Sequence, residues 1–292
     1  MKEPDVTPSI DDVVEQFSVD QDYGQYSEED QDTWRIAMAN LEKVLVNNTA
    51  VDYVEACRLS GMSMHQIPTL ESVNDALGEF GWSAIVVEGF IPPDAFMALQ
   101  ANSILPITRS IRSRNQLGYT PVPDILHEAA GHLPMLSCPE YRIFLQRLGE
   151  IGANTTLNAL DMKLYTRQKQ HAELLAEDNV SLDLVASAER AVEEAALEAR
   201  NSAVSPARRV ARFHWWTVEY GLIGETHDIY GAGLLSSVAE VKEFRKVPHT
   251  RLSVDCCNQS FEIDHVQPHY FVAESWDHLM DEVFALEIAV SD

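Results

Sequence analysis

Basic residues are scarce in this chain, with 21 Lys and Arg against 46 Asp and Glu, a formal net charge of −25. A surface so acidic repels phosphate backbones and anionic lipid, which argues against nucleic-acid or membrane partners. Long apolar runs are missing as well. No stretch approaches the roughly 18 apolar residues of a membrane span, and the opening residues carry no apolar leader segment. The four cysteines, Cys57, Cys138, Cys256 and Cys257, show neither C-x-x-C nor C-x-x-C-H spacing. Neighbours such as Cys256 and Cys257 rarely pair with each other. Scattered thiols point to a reducing compartment, so a cytoplasmic location is expected. Glycine and proline, 13 of each in 292 residues, are not enriched, so the composition is globular rather than disordered.

What is present is 46% hydrophobic residues, enough for one large catalytic domain or two small ones. Residues 1–32 hold eleven acidic residues and a single Lys, and read as an acidic, weakly structured lead-in. Residues 33–292 read as one catalytic domain. Trp34, Ile36, Ala37, Leu41, Val44 and Leu45 recur at helical spacing. Further helices are expected over 51–59, 94–100, 126–136 and 139–152. The β-branched stretch 82–89 is the best strand candidate. Residues 160–206, rich in Ala, Glu, Leu and Arg, lack Gly and have no Pro before Pro206. They predict an inserted helical hairpin or arm, with Leu184, Ala188, Val192 and Ala195 on one face. The fold class expected is mainly α with a small β component.

The informative segment is Pro121-Val-Pro-Asp-Ile-Leu-His127-Glu128-Ala-Ala-Gly131-His132-Leu-Pro. Two imidazoles in a mostly apolar helical stretch need a reason to be there. Zinc peptidases use H-E-x-x-H, which stacks both histidines on one helix face; here the spacing is one residue longer. At about 100° per residue, five steps separate the side chains by about 140° in an ideal helix. Both reach one metal only if the helix is distorted or ends there, and Gly131 suits either. Glu219, within Phe213-His-Trp-Trp-Thr-Val-Glu219-Tyr-Gly221, is a carboxylate in an apolar run, a position rarely buried unless paired or bound to metal. Two imidazoles and a carboxylate with open positions form the facial triad preferred by Fe(II) oxygenases. Buried, hydrogen-bonded histidines, or a zinc site, are the alternatives at this point.

The same residues resemble the pterin-dependent aromatic amino acid hydroxylases. Tyr119-Thr-Pro-Val-Pro-Asp-Ile-Leu-His127-Glu-Ala-Ala-Gly-His132-Leu-Pro is similar to that family's iron-binding signature. So are Trp216-Thr-Val-Glu219-Tyr-Gly-Leu222, Tyr230-Gly-Ala-Gly-Leu-Leu-Ser236-Ser237 and Gln267-Pro-His-Tyr-Phe-Val-Ala-Glu-Ser275. The motifs run in family order from about Ile67 to the C-terminus, apart from the arm, which resembles that of a bacterial branch. As departures from the family pattern, no regulatory domain is expected before the core and no long tetramerising helix after Asp292.

It also implies roles, position by position. His127, His132 and Glu219 would be the iron ligands. Arg112 would grip the substrate α-carboxylate, with Asp124 orienting it and Thr120, Ser236 and Ser237 adding contacts. Pro123 and Trp215 would wall the aromatic pocket. Phe96 would stack on the pterin, and Glu128 would be the catalytic acid facing pterin and iron. His214 stands on the pterin side where the family usually has tyrosine. Fe(II) and a tetrahydropterin (tetrahydrobiopterin or tetrahydromonapterin) would together use O2 to hydroxylate a free aromatic amino acid. Phenylalanine to tyrosine is the expected reaction, in a monomer or homodimer, as in phenylalanine 4-monooxygenases. Tryptophan or another ring position of phenylalanine are the alternatives, and a non-catalytic metal-binding regulatory or scaffold protein is the reading of another class.

Overall fold

A computed structural model describes residues 9–89, 91–117, 124–176, 180–261 and 266–291. Helices α1 (Ile10–Phe17), α2 (Glu28–Leu45), α3 (Tyr53–Leu59) and α4 (Leu70–Gly78) lead to strand β1 (Ser83–Val87). Helix α5 (Pro93–Ala101) then crosses over to strand β2 (Ile104–Thr108), which pairs with β1 in parallel, Ser83 opposite Ile104. The fold class is mainly α with a small β component, as expected.

From Ser9 onward the acidic lead-in is more ordered than its composition implies. Ser9 and Asp12 form a reciprocal capping box at the start of α1. Ile10, Val13, Val14 and Phe17 then present a stripe at helical spacing, and Val13 packs with Ala95 and Leu99 of α5. Val19 N–H donates to Val86 O at 2.8 Å, attaching the segment to β1. A second capping box, Ser27 with Asp30, starts α2 at Glu28, inside the stretch read as lead-in. The acidic residues occupy caps and solvent faces, so charge content concealed the periodicity. The apolar stripe of α2 buries Trp34, Ala37, Met38, Leu41 and Leu45.

Downstream, two single-turn helices, α6 (Ile125–His127) and α7 (Leu133–Met135), flank a π-helical turn over Glu128–His132. Helix α8 (Pro139–Ala153) packs on α5 and forms the centre of the core with Tyr141, Phe144, Leu145 and Leu148. The arm is a helical hairpin of α9 (Ala159–Ala176) and α10 (Leu182–Arg200). Ala195 and Ala199 are buried at its base, whereas Leu184 is exposed, so the expected apolar face is covered only near the core. Asp161, buried, accepts from Ser205 Oγ at 2.6 Å and pairs with Arg208 Nε at 2.8 Å, anchoring the hairpin.

Helix α11 (Pro206–His214) runs into a second π turn, Trp215–Glu219. Strands β3 (Leu222–Ile223) and β4 (Asp228–Ile229) follow, then α12 (Ala232–Leu235) and α13 (Val238–Glu243). Strands β5 (His249–Arg251) and β6 (Tyr270–Ala273) complete a four-stranded sheet of order β4-β3-β6-β5, and α14 (Trp276–Ser291) closes the fold against α8 and α11. Among the described residues, no helix is long and apolar enough to cross a membrane. All four cysteines are free and buried.

Candidate metal centre and substrate pocket

The five-residue spacing of His127 and His132 is accommodated by the π turn between them. Its wider i→i+5 closure brings residues five apart onto one face, and the two imidazole centroids lie 5.2 Å apart. Three features hold the turn. Asp124 caps it, accepting from His127 N–H at 3.0 Å. Pro134 has no N–H to offer the carbonyl of Ala130, and the Tyr53 hydroxyl donates to that oxygen at 3.0 Å. Gly131 sits so close to α12 that a Cβ there would lie 2.5 Å from Ala232 O.

Glu219 reaches the same place from the second π turn. Tyr220 N–H donates to Trp215 O, a five-residue closure, at 3.0 Å, and Thr217 Oγ1 donates back to Phe213 O at 2.6 Å. His127 Nε2 lies 3.3 Å from Glu219 Oε2, and His132 Nε2 lies 3.4 Å from Oε1. The three donor atoms are all within 4.8 Å of one another. Ser236 Oγ donates to Ala232 O at 2.8 Å, so toward His127 Nδ1, 3.0 Å away, it accepts. The proton of His127 is thereby placed on Nδ1, and the Nε2 lone pair points to the cluster. Burial alone would raise the Glu219 carboxyl, but the imidazoles of His132 and His127 hold it well below the usual range.

Glu128 and His214 flank this cluster. Burial pushes the Glu128 carboxyl up to about 8, against the opposing pull of His132, from whose Nε2 it is 3.9 Å. Burial likewise lowers His214 to about 4, so it is neutral at physiological pH. Its Nδ1 lies 3.8 Å from Glu219 Oε1 and its ring meets Phe96 edge-on at 5.6 Å. Phe96 and His214, both expected on the pterin side, are therefore neighbours, and His214 stands beside Glu219.

Arg112 and Asp124 form a buried fork: Nη2 to Oδ1 at 2.7 Å and Nε to Oδ2 at 2.9 Å, with Arg112 N–H on Oδ2 at 2.8 Å. Asp124 thus ties Arg112 to the backbone of His127. Arg109, three residues before Arg112, instead pairs with exposed Glu88. Trp215 stacks on Phe261 with centroids 4.2 Å apart and donates its Nε1–H to Gln267 Oε1 at 3.2 Å. Ser237 caps α13 by accepting from Glu240 N–H. Thr120 and Pro123 lie outside the described residues. Tyr53, Glu240 and Gln267 had no role at the sequence level, because each acts through a partner distant in the chain.

A profile of the biopterin-dependent aromatic amino acid hydroxylases matches residues 10–165 and 171–289. The match thus extends well before Ile67 and through most of the arm. The phenylalanine-4-hydroxylase of Mesorhizobium japonicum is 29% identical over 276 residues, covering 91% of this chain and 82% of that protein. That of Chromobacterium violaceum is 28% identical over 273 residues, covering 91% and 76%. A cobalt-bound crystal structure of the C. violaceum enzyme aligns with a TM-score of 0.70 at 25% identity, covering 98% of this chain and 94% of the other. Matched over nearly its whole described length, with the two π turns converging on one donor cluster, the chain belongs to the biopterin-dependent aromatic amino acid hydroxylase family.

Proposed function

We propose that this protein is a phenylalanine 4-monooxygenase, using Fe(II), a tetrahydropterin and O2 to convert L-phenylalanine to tyrosine. The observation that carries the reading is the convergence of His127 Nε2, His132 Nε2 and the Glu219 carboxylate within 4.8 Å. The donor set fits the metal: two imidazoles and one anionic oxygen, with the His127 tautomer already set for coordination through Nε2. The substrate assignment is supported by relatives in M. japonicum, C. violaceum and Pseudomonas aeruginosa, all named phenylalanine-4-hydroxylase.

In this reading iron and pterin together supply the activation of O2, and the chain supplies position and proton control. Arg112 holds the amino-acid carboxylate; Asp124 engages its Nε and Nη2 and so sets the plane of the guanidinium. Trp215 walls the ring, and the serines at 236 and 237 border the carboxylate end; the roles that the resemblance gives Pro123 and Thr120 fall outside the described residues. Phe96 and His214 line the pterin side. Glu128, buried beside the metal ligands and 3.9 Å from His132 Nε2, is the acid that faces pterin and iron. Free thiols and the absence of a C-x-x-C spacing support a reducing cytoplasm as the location.

The test is anaerobic Fe(II) reconstitution, then addition of tetrahydropterin, air and separate aromatic amino acids, with products located by mass spectrometry and NMR. Tyrosine from phenylalanine, dependent on pterin, is the expected result. Hydroxytryptophan as sole product overturns the substrate, and pterin-independent turnover overturns the cofactor. Glu219→Ala should lose bound iron and turnover together; full iron occupancy in that variant overturns the ligand assignment.

A further inference from the structure

Glu240 is a carboxylate on α13, only 3% exposed, with no part in the metal cluster. Burying a carboxylate without partners costs several kcal/mol, so its contacts are informative. The Tyr270 hydroxyl donates to Oε2, and the backbone N–H of Gln267 is shared between Oε1 at 3.3 Å and Oε2 at 3.4 Å. Gln267 is 1% exposed, and its side-chain Oε1 accepts the indole N–H of Trp215 at 3.2 Å. A continuous chain therefore runs from buried Tyr270, Glu240 and Gln267 to half-buried Trp215. Trp215 has aromatic neighbours in Phe261 and Tyr220, centroids 4.2 and 4.9 Å away. Ring contacts of this kind permit sliding; the indole N–H bond is the directional contact. The segment that carries Glu240 also carries Ser236, the partner of His127 Nδ1. One stretch of chain thus supports a metal-cluster histidine and the aromatic wall.

We propose that Glu240 is a positioning residue for substrate selection, holding the Gln267 backbone so that the Trp215 indole is fixed in the pocket wall and a single six-membered ring is preferred over indole. The proposal rests on Trp215 forming that wall, as assigned above. Glu240 acts through Gln267, so its loss loosens the wall without removing a contact to the amino acid.

The test compares Glu240→Gln, Gln267→Met and the double variant. It uses holoenzyme kinetics on phenylalanine and tryptophan, plus the indole 1H–15N resonance of Trp215, assigned with Trp215→Phe. A net hydrogen bond corresponds to about 2- to 10-fold, so each single variant should raise KM for phenylalanine and lower the phenylalanine-to-tryptophan preference by about that factor. kcat on phenylalanine should change less, and Co(II) affinity should not change. The Trp215 resonance should move in both variants, and the double variant should resemble either single one. An unmoved resonance in Glu240→Gln overturns the positional link. A moved resonance with unchanged preference overturns the selectivity role, and fully multiplicative effects overturn the shared chain. Gln267→Met leaves Glu240 in place, so an unfolded Glu240→Gln protein does not remove the test. Wild-type holoenzyme without hydroxylase activity instead counts against the activity itself, and the resonance still reads the link.

Discussion

Ser236 accepts a hydrogen bond from His127 Nδ1 at 3.0 Å while donating its own O–H to Ala232 O at 2.8 Å. Four residues of helix therefore decide which nitrogen of a distant histidine carries a lone pair. Replacing Ser236 with Ala removes that constraint, and outer partners of this kind are worth about 10- to 100-fold in metal affinity. Competitive titration of Fe(II) or Co(II) should show a loss in that range with little change in secondary structure. Unchanged affinity would mean that Nδ1 protonation is set elsewhere.

Gly131 and Ala232 are the next contact in that arrangement. A Cβ at Gly131 would stand 2.5 Å from the carbonyl that accepts the Ser236 proton. Gly131→Ala should cost about 1–3 kcal/mol in urea unfolding, the usual range for overpacking. It should also weaken metal binding, because displacing Ala232 displaces Ser236. Lower stability with wild-type metal affinity would separate the two and refute the coupling.

Asp124→Ala is expected to be the most damaging single change among these. It leaves the Arg112 guanidinium buried without its partner, at about 3–5 kcal/mol, and removes the cap on His127 N–H. Thermal unfolding should report the loss, and a metal titration of the folded fraction should report weaker binding. A cost under about 1 kcal/mol would show that Arg112 finds another anion.

Glu128 gives the metal-free protein a pH dependence of defined sign. Its carboxyl titrates near 8 in the folded chain and near the ordinary 4.5 when exposed. Folding therefore keeps a proton that the unfolded chain has released. The associated stability is fully present below about 4.5 and is lost as pH rises toward 8. Denaturant midpoints between pH 5 and 9 should fall with pH in the metal-free wild type and be flatter in Glu128→Gln. Parallel curves would place the titration on another group.

Most helices were legible because each carries an apolar stripe, as α2 does around Trp34, and α5 and α8 also open on a proline in the first turn, Pro93 and Pro139. Helix α1 was hidden in acidic composition although its stripe was present. Strand β2, with Pro106 in its centre, gave no alternating pattern, and its identity comes from pairing with β1. The two-residue strands β3 and β4 are too short to show an alternating pattern.

By itself the sequence determined the donor types, the five-residue gap between His127 and His132, and the need for a distorted helix there. It also placed Glu219 in an apolar run where a bare carboxylate would be costly. Only the tertiary structure decided how the distortion is held, through Tyr53 on Ala130 and the packing of Gly131 on Ala232. It decided as well which nitrogen of His127 is free and that Glu240 and Gln267 support Trp215. The physical reason is range: helical periodicity and spacing are local properties of the chain, whereas a hydrogen-bond partner 77 or 109 residues away exists only after the core has packed.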